Sequence, residues 1–190
     1  MDITVIAFLG LLLAVALLRI LELRVSHHHR QQMLVQGATK VNEPQFRWVV
    51  VVHTAVLIGA ALEVIFLHRP FLPVLGFPML VIFLSSNLVR LWVVRTMGTH
   101  WNVQVMNSTN LGVVTSGPFR FVRHPNYTAV FLEMFSLPLI HTAWITAILG
   151  CVGYAAAISH RIAVEESVLL ANPAYRTSMA GKPRFLPGLF

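Results

Sequence analysis

The sequence predicts an all-α integral membrane protein with about five transmembrane helices, the last two of which form a C-terminal helical hairpin. Hydrophobic residues make up 56% of the 190 residues and charged residues only 11%, whereas a soluble globular domain carries roughly 25% charge. Apolar runs of roughly 20 residues, enough to cross about 30 Å of hydrocarbon, alternate with polar segments. We therefore expect one membrane domain over residues 1–190, with N-terminal spans in 1–95 and the functional core in 96–190.

The first apolar run, Ile3 to Leu23, is predicted to be a retained helix, because no basic segment precedes it and no small-residue cleavage site follows. Arg19 and Glu22 lie near its end, where long side chains can reach the membrane interface. Residues 24–47 are polar and basic, which favours a loop. Three adjacent histidines at 27–29 cannot share one helix face; we interpret them as an interfacial basic patch, with metal binding as the alternative.

The second and third spans are predicted over Phe46 to Leu67 and Phe71 to Val94. Glu63 lies about one turn before the second span ends, which favours a carboxylate at the interface over one deep in the bilayer. Asn87 and Arg90 share a face near the end of the third span. We expect both to point into the protein, toward the polar loop that follows.

The hairpin consists of a short apolar run, Tyr127 to Leu139, and a long one, Ala143 to Ile162. The first arm is too short to guarantee a full crossing, so it either spans the membrane or re-enters. The tail from residue 163 to the C-terminus is amphipathic at first and then contains proline and arginine.

Charge placement predicts the orientation. Fourteen Lys and Arg against seven Asp and Glu give a net charge of +7; in a soluble protein this excess would suggest nucleic acid, but here loop asymmetry explains it and no nucleic-acid partner is expected. The positive-inside rule places the first loop, the long loop and the C-terminus in the cytoplasm, and the N-terminus outside. The single cysteine, Cys151, excludes a disulfide framework and a Cys-based metal site.

Two polar clusters are predicted on the cytoplasmic side. One is the turn-rich loop Met97 to Tyr127, and the other is the exit of the last span, residues 160–166. Arg161 and Glu165 are one helical turn apart, so they either form an anchoring salt bridge or line a ligand site together. No Walker loop, zinc-ligand spacing or Gly-x-Ser-x-Gly elbow occurs, and no metal site is expected.

Five short motifs occur in order after Gly98: Gly-Pro-Phe-Arg at 117–120, Arg-His-Pro-Asn-Tyr at 123–127, Arg161 followed by Glu165 and Glu166, Tyr-Arg at 175–176, and Pro-Arg at 183–184. This pattern resembles the isoprenylcysteine carboxyl methyltransferase family, which is related to membrane phospholipid N-methyltransferases. The resemblance covers about the last half of the chain. It implies an S-adenosylmethionine-dependent methyltransferase, releasing S-adenosylhomocysteine, whose cofactor is held by the loop and the C-terminal helix.

The resemblance also implies residue roles. Phe119 stands where the family usually has Tyr, so a stacking surface remains but a hydroxyl is lost. We expect Arg161 to bind substrate and, with His124, to serve catalysis, and we add Asn87 and Arg90 as substrate contacts. The implied cofactor-binding residues are Gln104, Leu111, Gly112, Val113, Val114, Phe119, His124, Pro125, Asn126, Tyr127 and Glu165.

The predicted activity is O-methyl transfer to a lipophilic acceptor that enters from the bilayer between helices. The acceptor class stays open between a prenylated cysteine carboxylate and the hydroxyl of a long-chain alkylpyrone or alkylresorcinol type of lipid. The alternatives are N-methylation of a phospholipid head group and a small membrane transporter or scaffold. A transporter would concentrate its ionisable groups at mid-bilayer, whereas the sequence predicts them at one face.

Overall fold

A computed structural model describes residues 2–44, 46–107 and 111–186. It confirms the all-α prediction: four helices are long and apolar enough to span a membrane, and a shorter fifth lies among them. Residues 108–110 of the predicted loop and 187–190 of the tail lie outside the described residues. The elements are α1 Ile3–Val35, β1 Thr39–Lys40, α2 Phe46–Phe66, α3 Pro73–Met97, β2 Met106–Asn107, α4 Pro125–Leu139, α5 Trp144–Ala171 and α6 Pro173–Met179, with 3-10 turns at Gly98–His100 and Gly117–Arg120.

Helix α1 is longer than predicted. It continues past Leu23 as far as Val35, because its polar second half contains no proline or glycine to end it before Gly37, which adopts a φ of 87°. The predicted loop is therefore helical over residues 24–35. The three histidines lie on this extension; His29 Nδ1 is 2.9 Å from the carbonyl oxygen of Trp101, which fastens the extension to the polar loop.

The five long or medium helices run alternately between the same two ends of the bundle. At one end, the α4–α5 turn meets the chain's start and the α2–α3 connection: His141 Nε2 lies 3.3 Å from Thr4 Oγ1, and Thr142 Oγ1 donates to the Pro70 carbonyl at 2.7 Å. At the other end, β1 pairs antiparallel with β2. The 15 residues of α4 run between these two ends over about 22 Å, which is shorter than a hydrocarbon core of about 30 Å.

Close packing at the first of these ends depends on glycine. A Cβ on Gly76 of α3 would lie 2.8 Å from the backbone oxygen of Ile140 and 2.3 Å from the Phe71 ring, so α3 approaches the α4–α5 turn too closely for a larger residue. The surrounding core consists of Phe8, Leu12, Val15, Ala60, Val64, Phe83, Leu137, Ile140 and Ala143.

Glu63 lies about one turn before the end of α2, and its side chain is buried within the bundle. Its carboxylate accepts hydrogen bonds from the backbone nitrogens of Ile145 (3.2 Å) and Thr146 (2.8 Å), and Arg69 pairs with it at 2.8 Å. The first N–H groups of a helix have no partner within the helix. Glu63 supplies that partner from α2, which joins α2 to the start of α5.

The expectation that Arg19 and Glu22 reach the interface is wrong, because partners on α3 and α4 draw both side chains inward. Arg90 binds Glu22 with two nitrogens, at 2.9 and 2.6 Å, and Arg19 reaches Glu133 of α4 at 2.9 Å. We call Arg19, Glu22, Arg90 and Glu133 the interior ion cluster. Its presence means that the ionisable groups of this protein are not confined to one face.

Candidate active site

The C-terminal tail holds the start of α4 in place. The backbone nitrogens of Arg123 and His124 donate to the carbonyl oxygens of Pro183 and Arg184, both at 2.9 Å. Lys182 Nζ donates to the Phe119 carbonyl at 2.7 Å. The tail therefore packs against the loop that carries the Arg-His-Pro-Asn-Tyr motif. The sequence indicated that the tail contains proline and arginine but did not predict this contact.

Glu166 is the centre of the contacts behind this loop. Its carboxylate lies 3.0 Å from Arg123 Nη1 and 3.1 Å from His124 Nε2, and Arg184 Nη2 donates to it at 2.7 Å. The Glu166 side chain is buried. His124 is thus oriented by a carboxylate of α5, so its ring has a fixed position at the beginning of α4.

Two cavities meet at this loop. The larger has a volume of about 460 Å³ and lies between α1, α2, α3, α4 and α5; the smaller, about 150 Å³, lies between the loop and the end of α5. Both are lined by Met97, Asn102, Gln104, Val105, Phe119, Arg123 and Glu165. The two spaces are therefore neighbours separated by shared side chains.

The structure brings most of the predicted site residues to these cavities. His124, Pro125, Asn126, Tyr127, Arg161 and Arg90 line the larger one, and Gly112, Val113 and Val114 line the smaller. Two predicted residues line neither cavity. Leu111 packs against Met33, Ala38 and Met106, and Asn87 accepts a hydrogen bond from Arg19 at 3.1 Å beside the interior ion cluster.

Tyr127 and Glu165 connect α4 to α5 at the wall of the larger cavity. The Tyr127 hydroxyl donates to Glu165 Oε2. The Arg161 guanidinium lies 5.7 Å from the centre of the Tyr127 ring and 5.8 Å from that of Phe46, within the range of cation–π attraction. Arg161 and Glu165 thus line one site together rather than pairing with each other.

Glu43 is the partner of Arg161 that the sequence did not predict. Its Oε2 lies 3.2 Å from Arg161 Nε, and its Oε1 accepts from the backbone nitrogen of Val105 at 2.7 Å. Burial raises the pKa of the Glu43 carboxyl, and Arg161 opposes that rise. The only signal in the sequence was an acidic residue in a basic segment. Such a residue does not indicate which side chain it contacts, and Arg161 lies more than a hundred residues later in the chain.

Polar groups at the site retain unused hydrogen-bonding capacity. Asn126 Oδ1 is buried without a partner among the described residues. Gln104 accepts from Arg30 at 2.6 Å through its oxygen, which leaves its amide nitrogen to donate. Beside the smaller cavity, burial raises the pKa of Tyr175 to about 12, so its hydroxyl stays protonated at neutral pH.

Among the described residues no three His, Cys, Asp or Glu side chains group as metal ligands.

Comparison with known proteins supports the predicted resemblance. The model of the isoprenylcysteine carboxyl methyltransferase (ICMT) family matches residues 79–171, close to half of the chain. A Bacillus subtilis (strain 168) relative, "Uncharacterized protein YpbQ", is 29% identical over 161 residues, which are 84% of this chain and 95% of that protein. Every predicted cofactor-binding residue lies within the matched range. The resemblance is confirmed, and the match indicates an integral membrane methyltransferase.

Proposed function

Since residues 79–171 are isoprenylcysteine carboxyl methyltransferase-like, we propose that this protein is an S-adenosylmethionine-dependent O-methyltransferase acting on a lipophilic acceptor. The cofactor binds at the loop and the end of α5. The acceptor lies in the larger cavity between α1, α2, α3, α4 and α5. The observation that carries this proposal is the shared wall: Gln104, Phe119 and Glu165, all inside the matched range, line both cavities.

Methyl transfer requires two reactants to meet in line, so positioning and electrostatics are the protein's main contributions. S-adenosylmethionine supplies an electrophilic methyl group on a sulfonium. The residues present fit this cofactor: Phe119 and Tyr127 offer aromatic faces to a cation or an adenine. Glu165 can accept hydrogen bonds from a ribose diol or an ammonium, and the unpartnered Asn126 oxygen can accept from an amine.

Guanidinium donors at the larger cavity favour an anionic oxygen over an amine as acceptor. Arg19, Arg90, Arg123 and Arg161 line the cavity, and each lies within 3.2 Å of a glutamate carboxylate, so the donors rather than a net charge favour such an oxygen. Arg161 Nε has no hydrogen-bond partner among the described residues. A carboxylate needs no base at neutral pH, only a cation to orient it, and the Arg161 guanidinium can bind it through two N–H groups. A phenol or enol would lose its proton more readily beside the same cation.

The route of the acceptor is lateral. Ile20 and Leu23 of α1 and Val50 and Ile58 of α2 line the larger cavity and are also exposed on the outside of the bundle. An apolar rim that continues into an apolar cavity lets a lipid chain enter from the bilayer without crossing water. Prenylated cysteine carboxylates and long-chain alkylpyrone or alkylresorcinol hydroxyls both combine such a chain with an acidic oxygen.

The proposed orientation follows from the same site. The polar loop and the tail lie at the end of the bundle opposite to the N-terminus, and most basic residues predicted in loops lie there too. We place this end in the cytoplasm and the N-terminus outside.

The interior ion cluster favours one other function, a small transporter that uses buried charges as a gate. In the described structure each of its charges is paired with another, and three of its members line the larger cavity. Head-group N-methylation of a phospholipid is the remaining enzymatic alternative. The identity of the methylated atom separates it from O-methyl transfer.

The test is methyl transfer by the purified protein in liposomes, supplied with S-adenosylmethionine carrying an isotopically labelled methyl group. Extracts of prenylcysteine, alkylresorcinol and phosphatidylethanolamine lipids serve as acceptors, and mass spectrometry locates the label. The proposal predicts labelled methyl esters or ethers that are lost in Arg161→Ala, whereas Asp2→Asn, at the far end, stays active. Label on an amine alone, or on no lipid, would contradict it.

A further inference from the structure

The larger cavity reaches charged side chains deep in the helix bundle. Arg19, Glu22 and Arg90 line it there, and Glu133 joins them from α4. Arg90 precedes Met97, the α3 residue that lines both cavities, by two helical turns, or about 10 Å along the helix. Charges at this depth in an apolar bundle are expensive and often mark a substrate path.

Two buried nitrogen atoms of this cluster have no hydrogen-bond partner among the described residues, and both are donors. Arg90 donates its Nε and Nη2 to Glu22, and Arg19 donates through Nη1 to Glu22 and through Nη2 to Glu133. Arg90 Nη1 and Arg19 Nε are buried without a partner in the described part of the chain. The charges balance, with two arginines against two glutamates. A ligand group that fits between these donors is therefore an uncharged hydrogen-bond acceptor.

We infer that the interior ion cluster is a second polar subsite for the acceptor, which binds an uncharged oxygen such as a keto, ether or hydroxyl oxygen carried on the lipid chain. The oxygen lies about 10 Å from the place where the two cavities meet. The inference rests on the proposed function for its claim that the occupant is the methyl acceptor. Lipid binding itself does not depend on that claim.

The competing explanation is that the cluster only joins α1, α3 and α4. The two explanations differ when all four charges are replaced together. Replacing a complete buried ion network by apolar residues is often neutral or stabilising. The fourfold variant Arg19→Met, Glu22→Leu, Arg90→Met and Glu133→Leu should therefore still fold. If the cluster is purely structural, the variant's preference among lipids should not change, whereas loss of a subsite should abolish the preference for a lipid that carries an uncharged oxygen.

The experiment measures displacement of a radiolabelled saturated long-chain carboxylate from the detergent-solubilised full chain. The competitors are the unlabelled carboxylate and the same chain with a mid-chain keto group. We expect wild type to bind the keto compound at least about tenfold more tightly, a difference typical of one satisfied buried donor. The fourfold variant should bind the two within about twofold. Equal affinities in wild type, or the same preference in the variant, would overturn the subsite.

A second variant covers the case in which the fourfold variant does not fold. Arg90→Lys keeps a positive charge opposite Glu22 but removes the free guanidinium donor, and it should lose most of the keto preference. Retained preference in folded Arg90→Lys protein counts against the subsite. S-adenosylhomocysteine binding and thermal unfolding report folding of both variants. If wild type prefers the keto lipid but methylates no lipid, the proposed function fails and the subsite stands.

Discussion

Glu43 Oε2 lies 3.2 Å from Arg161 Nε, which joins the polar segment before α2 to the helix that carries the candidate site. Both side chains are buried. Arg161 Nη2 also donates to the Val103 carbonyl, so one guanidinium is fixed from two directions. Glu43 lies outside the family-matched residues, and its contact means that the N-terminal half helps to build the site.

Replacing Glu43 by Gln tests whether this contact positions Arg161. Replacing the carboxylate by a neutral amide removes the negative charge of this buried ion pair, so we expect the KM for the acceptor to rise about tenfold, which corresponds to about 1.4 kcal/mol. The Kd for S-adenosylhomocysteine should change less than about twofold, because Arg161 is assigned to the acceptor. Steady-state kinetics and calorimetry measure the two quantities. Equal weakening of both would mean that Glu43 supports the whole loop rather than Arg161.

The Tyr127–Glu165 hydrogen bond predicts a coupled effect on the cofactor. Tyr127→Phe leaves a carboxylate at the site without its donor, at a cost of about 1–3 kcal/mol. We expect S-adenosylhomocysteine to bind about tenfold more weakly to Tyr127→Phe and to Glu165→Gln. The double variant should bind no more weakly than the weaker single variant, since both changes break the same contact. Additive losses would show that the two residues act independently.

Glu166 should contribute more to stability than any one of its cationic partners. Glu166→Ala leaves Arg123, His124 and Arg184 without their shared carboxylate, and removing one partner of a buried charge cluster costs about 3–5 kcal/mol. Arg184→Ala is the matched control, because its side chain is 49% exposed and exposed ion pairs contribute about 1 kcal/mol or less. Thermal unfolding in detergent compares them; equal losses would contradict the central role of Glu166.

Gly76 gives a test of the packing between α3 and the α4–α5 turn. Gly76→Ala places a methyl group 2.8 Å from the Ile140 backbone oxygen, and such overpacking costs about 1–3 kcal/mol. Gly10→Ala in α1 is the control, because nothing lies within 4 Å of its added Cβ. We expect a lower unfolding temperature for Gly76→Ala only. Unchanged stability would mean that α3 can shift away from the turn.

Hydropathy was sufficient to predict the spans, because that signal is local to one helix, and the family resemblance implied that Tyr127, Arg161 and Glu165 belong to one site. They did not predict where α1 ends, since hydropathy marks the apolar stretch and the helix continues beyond it. They also missed Glu43 and Glu133. Both are isolated acidic residues whose arginine partners lie on distant segments, and a single sequence does not indicate which helices pack against each other.

The most direct test of the central claim is calorimetric titration of the detergent-solubilised protein with S-adenosylhomocysteine, beside Glu165→Ala and Asp2→Asn. Glu165 lines both cavities, whereas Asp2 caps α1 at the opposite end. The account predicts micromolar binding to wild type and Asp2→Asn, and at least about a tenfold loss in Glu165→Ala. Absence of binding to folded wild-type protein, or equal affinity in Glu165→Ala, would contradict it.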